Sequence, residues 1–292
     1  MEYGYQRGLL LISIPRQSQG LPDDLGDRPT LSVFFNSKSP GTRRQKNVMD
    51  LYQDYLETIS SFPANSYFAK AGFVSCDNDD AVIENVLITG INPSVPVNGQ
   101  YIPTSSYPKP FNGDGHPYFS SLGSFIPREK QDKCGYLDIF PFYEKEQKTL
   151  LANIRGNEAL IANVLRITQT EIERIAPSLL IIANKSTYPF WGASEDCVWM
   201  GYDFQKVSED DLPDSLKNRG LDIRIIKGFR QDELARREII YRPQDGVCRL
   251  KGTVAVMYSH SRNLASEHRL TESDFVALHD FSKIVKSISK YL

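Results

Sequence analysis

The chain has 292 residues, 40% of them hydrophobic and 24% charged, with a formal net charge of −2. This is the make-up of a globular protein with a sizeable core, and bulk charge does not advertise a nucleic-acid binder. No apolar run approaches the ~20 residues that a membrane-spanning helix needs.

Taken in order, the first apolar run is Leu9 to Ile14, only six residues long. It is too short for the core of a secretory signal, so it reads as a strand and the protein as cytoplasmic. Pro15, Gly20, Pro22, Gly26, Pro29, Pro40 and Gly41 then break the chain, around a second apolar run, Leu31 to Phe35. Val48, Leu51, Tyr55, Leu56 and Ile59 recur at helical spacing, which predicts a helix over 47–61, ended by Pro63. Phe73-Val74 begins a short strand. Residues 1–85 are expected to form an N-terminal extension packed on the core, and residues 86–292 an α/β domain.

From Val86 the pattern alternates. A strand at 86–89 leads into a long loop, 93–117, dense in Pro, Gly, Ser and Tyr. Loops of that length in compact domains are usually functional or disordered. Tyr118 to Phe125 opens a helix and 134–142 gives a second strand. Leu160, Val164, Ile167, Ile172 and Ile175 form the apolar stripe of a helix over 157–176, stopped by Pro177. A third strand follows at 179–183, then a polar and aromatic insertion, 186–221, with both tryptophans. Residues 222–229 read as a strand, antiparallel or at an edge. Gln231 to Tyr241 reads as an arginine-rich helix, 253–258 as the last strand, and 271–291 as a helix capped by Thr271. Such alternation predicts an α/β sheet with crossover helices.

Four of these apolar runs end in polar clusters: Gly90-Ile91-Asn92-Pro93-Ser94, Asp138-Ile139-Phe140-Pro141-Phe142, Asn184-Lys185 and Ser259-His260-Ser261-Arg262-Asn263. Open parallel sheets bind ligands outside the carboxyl ends of their strands, so four polar strand ends in order suggest a site.

Cys76, Cys134, Cys197 and Cys248 are more than 50 residues apart, with no Cys-x-x-Cys pair to nucleate a metal site. Reduced, mostly buried thiols are expected. Charge is uneven: residues 195–214 hold seven acids and one base, and 217–251 ten bases and five acids. The basic stretch suits a phosphate backbone, or a solvated face balanced by the acidic neighbour.

In order, the strand-end motifs resemble the uracil-DNA glycosylase superfamily. Gly90-Ile91-Asn92-Pro93-Ser94 looks like the Gly-Ile/Met-Asn-Pro-Gly motif of its mismatch-specific and single-strand-selective branches, with Ser94 in place of the last glycine. Leu137-Asp138-Ile139-Phe140-Pro141-Phe142 looks like a second-strand segment in which the single-strand-selective branch has Asn where this chain has Asp138. His260-Ser261-Arg262-Asn263-Leu264 is similar to the closing His-Pro-Ser-Pro-Leu/Arg motif, without its prolines. The resemblance spans about 86–290. It implies a four-stranded parallel sheet between helices, with DNA bound across the strands' carboxyl ends. It also implies hydrolysis of the N-glycosidic bond of a flipped uracil or other deaminated base. The step needs no metal, and the cysteine spacing gives no sign of the iron–sulfur cluster of some branches.

Cleavage passes through an oxocarbenium-like sugar and an anionic base. Asn92 is suited to hold a water, since its amide both donates and accepts, and Pro93 stiffens its turn. His260 can donate to the developing anion as a neutral imidazole. Ile91, Asp138 and Phe119 are the base-binding candidates, with Phe119 or Tyr118 stacking on a flipped base. Ser261, Arg262 and Asn263 fall where the family inserts a loop into the minor groove; Lys185 and Arg230 are candidates for phosphate contact. No lysine stands at a motif position to form a Schiff base, so cleavage would be monofunctional.

Asp138 is the departure. Asn there both donates to uracil O4 and accepts from N3–H, whereas a carboxylate only accepts. Three outcomes stay open: a base with an exocyclic amino group, a carboxyl protonated by burial, or loss of uracil excision. Two other functions stand beside the glycosylase: a non-catalytic nucleic-acid- or protein-binding member of the fold, and a small-molecule nucleoside or nucleotide hydrolase. The absence of Gly-x-Gly-x-x-Gly and of the P-loop pattern argues against dinucleotide and P-loop chemistry.

Overall fold

Strand β1 (Val86–Gly90) is buried along its whole length, with a parallel neighbour on each side: β2 (Gly135–Asp138) and β3 (Leu179–Ile182). Near-continuous apolar runs such as VLIT and LLII are what strands covered on both faces require. The computed structural model describes residues 48–63, 66–75, 84–94, 111, 117–194, 199–233, 235, 243, 246–260 and 269–289. The apolar runs at Leu9–Ile14 and Leu31–Phe35, most of the 93–117 loop and most of the arginine-rich 231–241 segment lie outside the described residues.

The sheet has six strands, in the order β2-β1-β3-β6-β5-β4, where β4 is Tyr202–Lys206, β5 is Ile223–Phe229 and β6 is Val254–Met257. The first four are mutually parallel; β5 and β4 add on antiparallel to β6 and to each other. The α/β class holds, but the expected purely parallel four-stranded sheet becomes the parallel part of a larger mixed one. The insertion after β3 supplies the extra edge. β5 runs antiparallel, as anticipated, yet is interior because β4 covers it. β4 has only Tyr202 buried, with Asp203, Gln205 and Lys206 exposed, the polar dress of an edge strand.

β2 is shorter than the expected 134–142. Past Asp138 the backbone still follows β1, with Ile139 N donating to Gly90 O at 3.3 Å and Phe140 N to Ile91 O at 3.0 Å. Phe142 then forms an antiparallel bridge to Phe73, beside which Val74 N donates to Pro141 O at 2.9 Å; these contacts are the described part of the strand expected there.

Helices cover both faces. They are α1 (Val48–Ser60), α2 (Tyr67–Ala71), α3 (Pro117–Leu122), α4 (Gln147–Ile154), α5 (Glu158–Ile175), α6 (Tyr188–Trp191) and α7 (Glu272–Ser289). α5 buries Leu160, Val164, Ile172 and Ile175 and ends where Ala176 turns left-handed at φ 47°, just before Pro177. Thr168 of α5 donates to Ile139 O at 3.0 Å and meets the Tyr55 hydroxyl of α1 at 2.7 Å, so α1 lies over α5 on one side of the sheet. On the other side, Phe125, just after α3, lies 6.0 Å from the ring of Tyr258 and 6.2 Å from that of Phe275 in α7.

α7 begins in a reciprocal cap. Thr271 Oγ1 accepts from Asp274 N at 3.2 Å while Asp274 Oδ2 accepts from Thr271 N at 2.9 Å. Arg219 clamps the same carboxylate with Nε–Oδ1 at 3.0 Å and Nη2–Oδ2 at 2.8 Å. Among the described residues, no helix is long and apolar enough to cross a membrane.

Candidate site at the carboxyl ends of the parallel strands

Register places the polar strand ends on one edge of the sheet. Gly90 of β1 pairs with Asp138 of β2, and Ile182 of β3 with Met257 of β6. The pairing continues past the strands, with Ala183 N donating to Thr89 O at 2.9 Å, Tyr258 N to Ile182 O at 3.0 Å and His260 N to Ala183 O at 3.2 Å.

Side chains alternate along a strand, so Tyr136 and Asp138 share one face of β2. The Tyr136 hydroxyl donates to Asp138 Oδ1 at 2.7 Å. Both groups crowd Gly90: a Cβ there would lie 2.2 Å from Oδ1 and 2.3 Å from the hydroxyl oxygen. Asp138 is only 4% exposed, and its Oδ2 is buried without a hydrogen-bond partner among the described residues. Burial pushes the carboxyl up to about 7, against the smaller opposing pull of the Tyr136 hydrogen bond. Both protonation states are therefore accessible near neutral pH.

Tyr118 extends this pair. It is hydrogen-bonded to Tyr136, and burial, then the charge of Asp138, holds its hydroxyl above the ordinary tyrosine range. Its ring meets His260 edge-on at 5.5 Å, and Tyr258 lies 5.8 Å from the same imidazole. His260 is half-buried, with Nδ1 unpartnered among the described residues. Burial, then the charge of Arg269, pushes its pKa below the usual histidine value, which keeps the imidazole neutral at pH 7. Asp138 and His260 are thus joined through Tyr136 and Tyr118.

Phe119 is 8% exposed and packs edge-on against Tyr136 at 4.9 Å and Phe111 at 6.3 Å, forming the wall behind the two tyrosines. Ile91 is buried in the core. Asn92 stands one step aside. Its Nδ2 donates to Pro93 O at 2.9 Å and to Glu144 O at 2.7 Å, which spends both donors and fixes the amide's orientation. Only Oδ1 remains for a ligand, so Asn92 can accept from a water but not also donate to it.

Lys185 is exposed, just past β3, where the Asn184 side chain accepts from Ser186 N at 2.9 Å. Ser261, Arg262 and Asn263 lie outside the described residues. Arg230 is occupied structurally, by Asp232 and by the carbonyls of Gly192 and Ser194. Within the basic stretch, Lys217, Arg219 and Arg224 pair with Asp214, Asp274 and Asp222. Of these three acids only Asp214 belongs to the acidic stretch 195–214; Asp222 lies within the basic stretch itself and Asp274 in α7.

Cys134 and Cys248 are free thiols, while Cys76 and Cys197 lie outside the described residues. Among the described residues no group of three or more His, Cys, Asp or Glu side chains is placed to hold a metal ion. Tyr136 stands outside the strand-end motifs, and Gly90 opens the first of them without a role of its own. The sequence signal for Tyr136 is the period of two that sets it beside Asp138, whereas the register that puts Gly90 opposite comes only with the fold. No protein-family model, curated protein or solved structure matches this chain.

Proposed function

We propose that the chain is a uracil-DNA glycosylase-like hydrolase that releases a flipped uracil or other deaminated base from DNA. The observation that carries this is the buried Oδ2 of Asp138, unpartnered among the described residues, at the carboxyl edge of the parallel strands and joined to a neutral His260 by an aromatic bridge. A polar atom left without a partner in a buried site implies something that satisfies it. The parallel quartet β2-β1-β3-β6 between helices and the order of the motifs agree with the resemblance.

In this reading Oδ1 of Asn92 accepts a hydrogen bond from a water, which adds to the sugar C1′ as the C1′–N bond breaks. The electron pair of that bond leaves with the base. His260, neutral before the step, donates a hydrogen bond to the carbonyl oxygen on which that charge collects. The proton of the attacking water passes to solvent or to the departed base. Asp138 reads the pairing edge of the base.

The test is abasic-site formation in oligonucleotides carrying uracil, hypoxanthine or another deaminated base, with Asn92→Ala as the inactive comparison. Strand scission after alkali in the parent but not the variant supports the reading. Intact oligonucleotides across the panel, with salt-dependent binding retained, would replace it by a non-catalytic binder. No DNA binding at low salt would point to a small-molecule hydrolase.

A further inference from the structure

We infer that Tyr136 sets which base edge the site accepts: by holding Oδ1 of Asp138 it leaves Oδ2 to face the ligand, so a protonated Oδ2 takes a pyrimidine carbonyl and an ionised Oδ2 takes a pyrimidine amino group. This rests on the base-excising reading above and adds a residue that the reading does not use. The geometry is built rather than incidental. The Tyr136 hydroxyl lies 2.7 Å from Oδ1, and glycine at position 90 clears the space that both groups occupy. Oδ2 is the buried oxygen left over among the described residues.

The proton follows from the same contacts. Oδ1 already accepts from Tyr136, so a carboxyl proton resides on Oδ2, where it becomes a donor; Oδ1 keeps a second lone pair for an imide N–H. Without the proton, Oδ2 is an acceptor only. Tyr136 faces Asp138 from its own strand, Tyr118 faces the pair from α3, and Gly90 on β1 brings no titratable group. His260 stands beyond the Tyr118 ring. No cation among the described residues stands against the carboxyl, and its position near neutrality makes the switch accessible. Tyr136 is a positioning residue, acting on the base through Asp138.

The test uses the full chain and fluorescence anisotropy with two single-stranded oligonucleotides. One carries a 2′-fluoro-arabino uridine and the other a 2′-fluoro-arabino cytidine, sugars that resist cleavage. The uridine-over-cytidine preference is expected to fall by about tenfold between about pH 6 and about pH 8, as one carboxyl titrates. In Tyr136→Phe, which loses a hydrogen bond favouring the charged form, the midpoint moves to higher pH; in Asp138→Asn the preference no longer varies with pH. A carbon-13 titration of the Asp138 carboxyl in the ligand-free chain reads the same link without DNA, and Tyr136→Phe should move it upward too. Binding of both oligonucleotides with a pH-independent preference, or an unmoved midpoint in Tyr136→Phe, overturns the assignment while leaving base binding intact. Binding of neither removes the base-excising reading, and this assignment with it.

Discussion

A Cβ placed on Gly90 would lie 2.2 Å from Asp138 Oδ1, so the carboxyl occupies space that glycine on β1 leaves open. The same absent methyl would meet the Tyr136 hydroxyl at 2.3 Å. The requirement is steric: Gly90 is not among the positive-φ glycines.

Gly90→Ala should therefore displace a hydrogen-bonded pair that sits in the core. Overpacking of this kind costs about 1–3 kcal/mol. Urea denaturation should show that loss, together with weaker binding of a uracil oligonucleotide. Unchanged stability and binding would mean that Tyr136 and Asp138 move aside freely.

Asn92→Asp should be more damaging to the fold than its size suggests. It sets a carboxylate oxygen where Nδ2 now donates to the Pro93 and Glu144 carbonyls at 2.9 and 2.7 Å. Stability should drop by about 1–3 kcal/mol, the cost of leaving such groups without a donor. Asn92→Ala should lower base release about a hundredfold by freeing the water. Thermal melts and single-turnover cleavage measure the two effects separately.

Asp138→Asn is expected to stabilise the protein at alkaline pH. Folding raises the Asp138 pKa from 3.8 to about 7, so its contribution is present in acid and lost as pH rises through that window. Asparagine carries no such loss. Denaturation profiles of the two proteins should meet near pH 4, separate progressively up to about pH 7 and run parallel above it. If asparagine reads the base as the resemblance implies, the same variant raises uracil excision, and an unchanged or lower signal counts against Asp138 as the reader.

His279 predicts the acid limb. It is 1% exposed, with Nε2 2.9 Å from Glu84 O and Nδ1 3.2 Å from Lys130 Nζ. Lysine only donates, so Nδ1 accepts and the ring is held neutral. Burial leads the causes that lower its pKa from 6.5, with the Lys283 and Lys130 charges adding, against the Glu84 carbonyl and carboxylate. A lowered histidine pKa means full stability above 6.5 and a loss as pH falls below it. His279→Gln should flatten that part of the profile; an unaltered slope between about pH 6.5 and pH 4.5 would assign the loss to other groups.

Sequence periodicity marked the helices at α1, α5 and α7 because each shows a full apolar stripe at 3.6 spacing. It missed α4, where only Leu150 and Ile154 are buried over eight residues. It missed β4 as well, because an edge strand needs few apolar residues and Tyr202 alone is fully buried there. The antiparallel direction of β5 was open to the sequence, but its interior place was not, because that depends on β4 pairing along its far side.

For the site, the chain by itself determined the candidates: polar residues after apolar runs, with Asn92, Asp138 and His260 in order. Tertiary structure decided what each can do. Burial, not residue type, brings Asp138 close to neutrality; two backbone carbonyls, one of them 52 residues away, use up the donors of Asn92. The part that Gly90 plays enters only when β1 and β2 are laid side by side. Local pattern records which atoms are available, but their protonation and their free lone pairs are set by neighbours distant in sequence.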